Sequence, residues 1–291
     1  MKPQSLTKTA VAVLLSISAL TACNVQNTNE GKSVAASQSA NITLLPAFES
    51  RLDIYKEVTL TTDLSHLSTN QKKMISLLID ASKIMDDLFW QQAFSQDKAT
   101  FLASIDDEKV RRFAEINYGP WDRLDGDKVF LSRQNEKSLG AEFYPSDITK
   151  QELTQASVQD KKGLYSVIRR GDDKQLYSIA YSEYYHDEIT RAAAILEKAA
   201  TFADDKEFAN YLSLRAQALL TDEYQASDFA WMDIKNNLID VVIGPIENYE
   251  DQLMGYRAAF ESYILIKDLA WSKKLEKYAE YLPELQKGLP V

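Results

Sequence analysis

The stretch STNQKKMISLLIDASKIMDDLFWQ, residues 68–91, contains the clearest secondary-structure signal in the sequence. Its first four residues form a capping-box pattern, in which a Ser hydroxyl and a Gln side chain satisfy backbone N–H groups at the start of a helix. The apolar residues that follow recur at spacings of three and four, which places them on one face of a helix. This face comprises Met74, Leu77, Leu78, Ala81, Ile84, Met85 and Leu88. We therefore predict a helix over residues 69–91.

Similar signals on the carboxyl side of this helix predict a mixture of helices and strands. Capping residues and apolar periodicity predict further helices over residues 106–117, from 149, and over 183–203, 206–220 and 271–286. Alternating apolar runs around a Gly-Asp turn predict a β-hairpin over residues 164–181. The β-branched and aromatic content of residues 229–243 indicates strand, and residues 256–266 fit either a strand or a helix. Residues 118–144 show no period, which predicts an irregular loop.

The amino terminus has the features of an exported lipoprotein. Two lysines precede an apolar run over residues 11–20, and the sequence LTAC then forms a small-residue cleavage site that ends in the only cysteine of the chain. We predict a lipoprotein signal peptide over residues 1–22 and a lipid anchor on Cys23. Asn24 favours the outer membrane, so the expected location is the cell envelope, on the periplasmic face of that membrane. The alternative is an ordinary signal peptide that happens to contain a cysteine.

The rest of the chain divides into a tether and a folded portion. Residues 23–50 are rich in Asn, Ser, Gln and Thr, which predicts a flexible tether. Residues 51–291 are long enough for one large domain or two small ones. The formal net charge of −10 argues against nucleic acid as a partner.

Most catalytic motifs are absent from this sequence. The two histidines, His66 and His186, lie far apart, and neither belongs to an H-E-x-x-H motif. No G-x-S-x-G motif, no phosphate-binding Gly-rich loop and no cysteine beyond Cys23 is present. We therefore predict no metal-binding residue and no cofactor in this chain.

The sequence IGPIENYED, residues 243–251, is the exception. If the chain stays pleated after Gly-Pro, Glu247, Tyr249 and Asp251 project from the same face. Two carboxylates at this spacing repel each other, so the face is more stable when it binds a cation. The α-ammonium of a peptide is a natural candidate. The alternative is a solvent-facing strand edge without a ligand.

The sequence around this motif resembles the dipeptidyl peptidase III family of zinc metallopeptidases, in particular its bacterial lipoprotein branch. The resemblance is carried by SDFAWMDIKNNLIDVVIGPIENYEDQLMGYRAAFESYILIKD (227–268), INYGPWDRLDGDKVFL (116–131), GAEFYPSDITKQEL (140–153), RAQALLTDEYQ (215–225) and YLPELQKGLPV (281–291). It implies a mainly helical α+β fold with a small antiparallel β-sheet or part-barrel.

For the site, the resemblance implies that Glu247 holds the free amino terminus of an oligopeptide. It also implies a catalytic hydrogen bond from Tyr249 to the carbonyl of the scissile bond. Asp251 is expected beside them as a substrate-binding or supporting residue.

The same family binds zinc through an H-E-x-x-H-type helix and a later glutamate, and this sequence contains neither motif. We therefore expect the amino-terminal, substrate-binding half of such a peptidase, inactive alone, whose catalytic half is missing from this chain. Two alternatives are a stand-alone peptide-binding lipoprotein and a structural envelope lipoprotein without a ligand.

Overall fold

The structure is a computed structural model that describes residues 42–290. The predicted signal peptide, the lipidation site at Cys23 and most of the predicted tether lie outside the described residues. In the described range, no helix is both long enough and apolar enough to span a bilayer.

The predicted capping box and helix at residue 69 are confirmed. Helix α1 spans Thr69–Ala93, and Ser68 Oγ accepts from the Gln71 N–H at 3.1 Å while Gln71 Oε1 accepts from the Ser68 N–H at 2.9 Å. The apolar stripe of α1 is buried in the main hydrophobic core, where it packs against α6 (His186–Ala200) and strand β6 (Ala259–Ile266). Each fully buried Leu or Met side chain contributes about 1.5–3 kcal/mol to stability.

The other α-helices of the described residues follow in chain order. They are α2 (Lys98–Ala103), α3 (Glu108–Ile116), α4 (Lys150–Gln155), α5 (Tyr181–Tyr184), α7 (Lys206–Thr221), α8 (Gln225–Asp233), α9 (Leu269–Ala279) and α10 (Leu282–Lys287). Helices α6 and α7 form the antiparallel pair that their short connection predicts. Small buried residues of α6, among them Ala192, Ala193 and Ala199, allow the close approach of its neighbours.

Six strands form three separate two-stranded antiparallel sheets in the described range. Strand β1 (Trp121–Asp122) pairs with β2 (Lys128–Val129), β3 (Ser166–Arg170) pairs with β4 (Leu176–Ala180), and β5 (Ile239–Glu247) pairs with β6. The predicted hairpin over residues 164–181 is therefore confirmed. The molecule has the mainly helical α+β fold expected from the sequence, and its antiparallel strands form three hairpins rather than one continuous sheet.

The prediction of strand over residues 229–243 is wrong for its first part. Residues up to Asp233 belong to helix α8, and the strand begins only at Ile239. Tertiary contacts outweigh the strand propensity of Phe229 and Trp231. The buried Ser227 hydroxyl donates to the Tyr224 carbonyl, and Asp228 forms an ion pair with the buried guanidinium of Arg215 on α7.

The predicted tether extends too far. Residues 46–51 form a 3₁₀-helix, and Phe48 lies in a second, aromatic-rich cluster with Phe113 and Phe130. An isolated bridge between Leu44 and Leu131 holds the preceding residues. The average composition of residues 23–50 is polar, but the residues at their carboxyl end are apolar. These residues bury enough surface to offset the entropy cost of becoming ordered.

Candidate functional site

The candidate site lies where the β5–β6 hairpin ends. Gly244 has φ +125°, a backbone conformation that residues with a side chain rarely adopt, whereas a Cβ here would make only an ordinary contact with the Tyr224 ring at 3.5 Å; the backbone therefore favours glycine. A register shift follows between Pro245 and Glu247, where an extra residue on β5 forms a bulge. The bulge changes which face the next residue of β5 occupies, and it places Glu247 opposite Ala259.

The outward face of the hairpin follows from this register. Ser262 faces inward, because its hydroxyl lies 2.7 Å from the Ser82 hydroxyl on α1. Since side chains alternate along a strand, Glu261 and Tyr263 face outward together with Glu247. The Glu247 backbone N–H donates to Glu261 Oε1 at 3.1 Å, and the Tyr263 hydroxyl donates to Glu261 Oε2 at 2.8 Å.

The expectation that Asp251 shares this face is wrong. The pleat ends at Glu247, and the chain turns at Tyr249 and Glu250. As a result Tyr249 is 78% exposed whereas Asp251 is only 2% exposed. Alternation of side chains between two faces holds only while the chain remains a strand. The turn at Tyr249 and Glu250 ends the strand, so the alternation does not extend to Asp251.

Asp251 instead stabilises the turn through buried hydrogen bonds. Its carboxylate accepts from the backbone N–H groups of Met254 at 3.0 Å, Tyr256 at 2.8 Å and Arg257 at 3.1 Å. It also accepts from the Tyr144 hydroxyl at 2.7 Å, so both oxygens bind protein donors. Burial, together with the charge of Asp251 and the hydrogen bond to it, raises the pKa of Tyr144 well above its usual value. Asp251 is therefore a positioning residue for the turn.

Glu250 anchors the same turn through charge. Its carboxylate forms a two-point contact with the Arg123 guanidinium, at 2.6 and 3.2 Å, and a contact of 2.8 Å with Lys137 Nζ. Burial alone would raise the pKa of Glu250, but the opposite charges and hydrogen bonds of Arg123 and Lys137 outweigh burial and hold the pKa below its usual value.

Arg257 completes this buried network. The residue is fully buried, and its guanidinium donates to the backbone carbonyls of Asp160, Lys161 and Gly163. The segment after β5 is therefore fixed to two other loops, one at Arg123 and Lys137 and one at residues 160–163.

We use the name acidic–phenolic ledge for the outward side chains Glu247, Glu261 and Tyr263 together with the exposed Tyr249 on the turn that follows β5. The hydrogen bond to Glu261 and the charges of Glu261 and Glu247 raise the pKa of Tyr263, which shows that its phenol meets a negative environment. Two neighbouring carboxylates repel each other, so a cation that binds between them is favoured. An ammonium group fits this chemistry, and the Tyr249 phenol supplies a hydroxyl donor.

A cavity of about 340 Å³ adjoins the ledge at Glu261 and Tyr263. On its far side, α1 supplies Asp86 and Phe89, and Tyr118 donates a hydrogen bond to Asp86. Lys98 Nζ binds the same carboxylate at 2.8 Å. A larger cavity of about 790 Å³ lies elsewhere, between the end of α1, α2 and α6, and neither Glu247 nor Tyr249 lines it.

The structure brings Glu247 and Tyr249 to the surface and adds partners that the sequence did not reveal. Glu261 and Tyr263 were missed because residues 256–266 fitted a strand or a helix equally well, so their register with β5 was unknown. Asp86 was missed because its pair with Asp87 resembles an ordinary polar helix face. The roles of Glu247 in substrate binding and of Tyr249 in catalysis stay predictions.

The residues present do not fit a zinc ion. His66 and His186 are both exposed, and His66 precedes α1 whereas His186 begins α6. Within residues 42–290 no three His, Cys, Asp or Glu side chains are arranged to hold a metal. Zinc in proteins is held by three or four such ligands, which the described residues do not bring together.

This chain is similar in sequence to one protein family and to a plant protein. A model of peptidase family M49 matches residues 130–291, more than half of the chain. Nudix hydrolase 3 of Arabidopsis thaliana is 30% identical to this chain over an alignment of 306 residues. The alignment covers 84% of this chain and 40% of that protein.

Two solved structures are similar as well. DPP III from Caldithrix abyssi has a TM-score of 0.76 and 39% identity, and the match covers 83% of this chain and 48% of that chain. Dipeptidyl-peptidase III from Corallococcus sp. strain EGB has a TM-score of 0.74 and 31% identity, with coverages of 81% and 46%. The chain therefore spans between 40% and 48% of the length of these relatives. With a family match over more than half of its residues, this chain belongs to peptidase family M49.

Proposed function

We propose that this chain is the substrate-binding portion of a dipeptidyl peptidase III-like peptidase, and that its acidic–phenolic ledge binds the amino-terminal end of an oligopeptide. We further propose that Cys23 carries a lipid that anchors the protein in the cell envelope, on the periplasmic face of the outer membrane. The names of the two solved relatives support dipeptidyl peptidase chemistry for the whole fold, of which this chain spans less than half.

One observation carries the proposal. Glu247 and Tyr249 are exposed, yet the backbone between and after them is fixed by the buried charges of Glu250, Asp251 and Arg257. A turn whose backbone is already fixed does not have to be ordered when a ligand binds, which lowers the entropy cost of binding.

Each ledge residue has a distinct part in the proposed complex. Glu247 and Glu261 supply the negative charge for the peptide α-ammonium, which forms strong hydrogen bonds to carboxylates. The Tyr249 hydroxyl donates to the carbonyl of the bond that the family cleaves, where negative charge develops during hydrolysis.

We also propose that this polypeptide has no peptidase activity of its own. The sequence has no H-E-x-x-H motif, and the structure shows no zinc-binding cluster in residues 42–290. A hydroxyl donor such as Tyr249 stabilises a transition state but supplies no nucleophile. Zinc-supplemented protein should release no dipeptide from a dipeptidyl naphthylamide, and chelator-sensitive release would contradict this part of the proposal.

The binding part of the proposal is tested by titration calorimetry. A tetrapeptide with a free amino terminus should bind at least tenfold more tightly than the same peptide with an acetylated amino terminus. Glu247→Gln should weaken binding of the free peptide by about tenfold, which corresponds to about 1.4 kcal/mol, because one charge partner of the ammonium is lost.

Glu276→Gln is the matched control, because Glu276 is an exposed acid on α9 and the substitution removes the same charge from the protein. It should leave binding unchanged. Equal affinity for the free and acetylated peptides, or equal losses in the two variants, would contradict the proposed role of the ledge.

A further inference from the structure

The cavity of about 790 Å³ lies apart from the acidic–phenolic ledge. It is bounded by the end of α1, by α2 and by α6, and its lining includes Trp90, Phe94, Glu142, Arg169 and Arg191. No residue of the ledge lines it. Ligand pockets in proteins typically have volumes of about 300–1,000 Å³, so this space can hold a small ligand. We name it the α1–α2–α6 cavity.

Some charged side chains that line this cavity already have partners in the protein. Lys98 Nζ binds Asp86 at 2.8 Å and Asp87 at 3.5 Å. Asp97 caps helix α2, where its Oδ1 accepts from the Thr100 N–H at 2.8 Å and from the Thr100 hydroxyl at 2.6 Å. These groups are therefore satisfied before any ligand binds.

The other two cations of the lining are Arg169 and Arg191, and neither forms an ion pair with a carboxylate of residues 42–290. Arg169 donates instead to neutral oxygens, among them the backbone carbonyl of Glu142 at 3.0 Å and the Tyr184 hydroxyl at 2.8 Å. A guanidinium is always charged, and its planar shape matches a carboxylate. Two guanidiniums in one cavity without an acidic partner favour an anionic group in the ligand.

Two acids of the lining, Glu142 and Glu188, also form no ion pair with a cation in the part of the chain that the structure describes. Both are only partly exposed. Burial raises the pKa of Glu142, and the charge of Arg169 and the hydrogen bonds with Ser95 offset this effect only in part. A partly buried carboxylate without a cationic partner favours an ammonium group in the ligand.

Aromatic residues hold the arginine side of the cavity in place. The Arg169 guanidinium lies 4.5 Å from the centroid of the Tyr184 ring. That ring packs edge-on against the ring of the buried Tyr185, with the centroids 4.8 Å apart. Stacking on an aromatic ring restricts the orientation of a guanidinium and leaves its charge intact. Arg169 is therefore held in position before a ligand binds.

Charge and size together indicate the class of ligand. Among the described residues, the lining presents two cations and two acids without ion-pair partners, which suits a molecule with one anionic and one cationic end. A simple anion such as phosphate would meet Glu142 and Glu188 as like charges. Trp90 and Phe94 supply an apolar wall for ligand side chains. A single amino acid has the same two charges, but a dipeptide fills more of the cavity.

We propose that the α1–α2–α6 cavity binds a zwitterionic dipeptide, whose carboxylate contacts the two arginines and whose ammonium contacts the two glutamates. This site is separate from the ledge and does not depend on the proposed function. The ledge requires only a free amino terminus, whereas the cavity requires a free carboxyl terminus as well. Each site can therefore fail its test while the other passes.

Calorimetry with alanyl-leucine tests the proposal. The titrations use the Glu247→Gln protein, in which binding at the ledge is weakened. Alanyl-leucine should bind about tenfold more tightly than its amidated form or its acetylated form, because each of these lacks one of the two charges. Equal affinity for the free and the amidated dipeptide would overturn the proposal.

Arg191→Gln, added to the same protein, identifies the site. It should weaken binding of the free dipeptide by about tenfold and leave binding of the amide unchanged, because the amide lacks the carboxylate that Arg191 contacts. Lys198→Gln is the matched control, since Lys198 is another exposed cation of α6 and does not line the cavity. It should change neither affinity. Equal losses in the two variants would overturn the proposal, because only the net charge of the protein would then matter.

Two further titrations test the class of ligand. Leucine should bind about tenfold more weakly than alanyl-leucine, because it makes fewer contacts. Equal affinities would overturn the dipeptide in favour of a single amino acid. Inorganic phosphate should not compete with alanyl-leucine, and effective competition would overturn the proposal in favour of a simple anion site.

Discussion

The segment after β5 and the pair α9–α10 both expose aromatic side chains, but they differ in what holds their backbone. Tyr249 lies beside Glu250 and Asp251, which are buried and accept from four donor atoms of the distant Arg123, Lys137 and Tyr144, and from backbone N–H groups of their own turn. Trp271 and Tyr278 lie on helices without a single buried residue. The exposed side chains after β5 lie next to buried, hydrogen-bonded residues, whereas those of α9 and α10 do not.

The difference separates two kinds of exposed surface. A backbone held by buried hydrogen bonds keeps its position before a ligand arrives, as a binding site requires. A short amphipathic helix without packing gains its stability only when a partner covers its apolar face. Exposure alone would rank Tyr249 and Tyr278 as equals, whereas only Tyr249 adjoins a buried, hydrogen-bonded network.

The largest expected effect comes from breaking the support of the ledge. Asp251→Ala leaves three backbone N–H groups and the Tyr144 hydroxyl without their acceptor. Unpaired buried donors cost about 1–3 kcal/mol each, so the free energy of unfolding should fall by about 4 kcal/mol or more. Urea denaturation measures this loss.

Asp251→Asn is the informative comparison, because it keeps one carbonyl acceptor and the shape of the side chain. Its loss should be smaller than that of the alanine variant. Wild-type stability in the alanine variant would mean that the turn does not depend on Asp251, and the contrast with α9–α10 would then disappear.

The second effect is electrostatic and depends on pH. Glu250→Gln removes the partner of Arg123 and Lys137, and breaking a buried ion pair on one side costs about 3 kcal/mol at neutral pH. Since the pKa of Glu250 is lowered in the folded protein, its stabilising contribution is present above the usual value of 4.5 and is lost as the pH falls through the lowered pKa.

The stability difference between the wild type and Glu250→Gln should therefore be largest near pH 7 and should shrink below pH 4.5. Urea denaturation at a series of pH values measures it. A difference that stays constant down to pH 3 would show that Glu250 acts through packing rather than through its charge.

The smallest expected effect is on the exposed ledge itself. Tyr249→Phe removes a hydroxyl that is in water, so the free energy of unfolding should change by less than about 0.5 kcal/mol. A larger loss in thermal or urea unfolding would place Tyr249 among the structural residues and would weaken the proposed division between the ledge and its support.

The local signals in the sequence predicted most of the helices. The capping box at Ser68 and the apolar period after it predict α1 almost to its ends, and the cap before α7 and the Gly-Asp turn between β3 and β4 behave in the same way. These features depend on residues at most four positions apart, so they are readable without knowledge of the fold. Helix α8 was missed because its contacts come from Arg215, ten or more residues away.

The candidate site was predictable only in part. Glu247 and Tyr249 follow from the motif after Gly-Pro, but Glu261 and Tyr263 join them through the register of β6, which the motif does not contain. Asp251 was expected on the ledge because an alternating pattern assumes a continuing strand. The turn at Tyr249 and Glu250 is stabilised by Arg123 and Lys137, which lie more than 100 residues earlier in the chain.

The sequence by itself determined most of the helical segments, the acidic and phenolic residues after Gly-Pro and the absence of an H-E-x-x-H motif, because each is a property of neighbouring residues. Only the tertiary structure decided which of the acids reach the surface. Glu247 is outward because a bulge changes the phase of β5, and Asp251 is inward because the distant Tyr144 hydroxyl and backbone N–H groups of its own turn satisfy its charge. Burial and hydrogen bonding in the folded chain, rather than spacing along it, separate the exposed Glu247 from the buried, supporting Asp251.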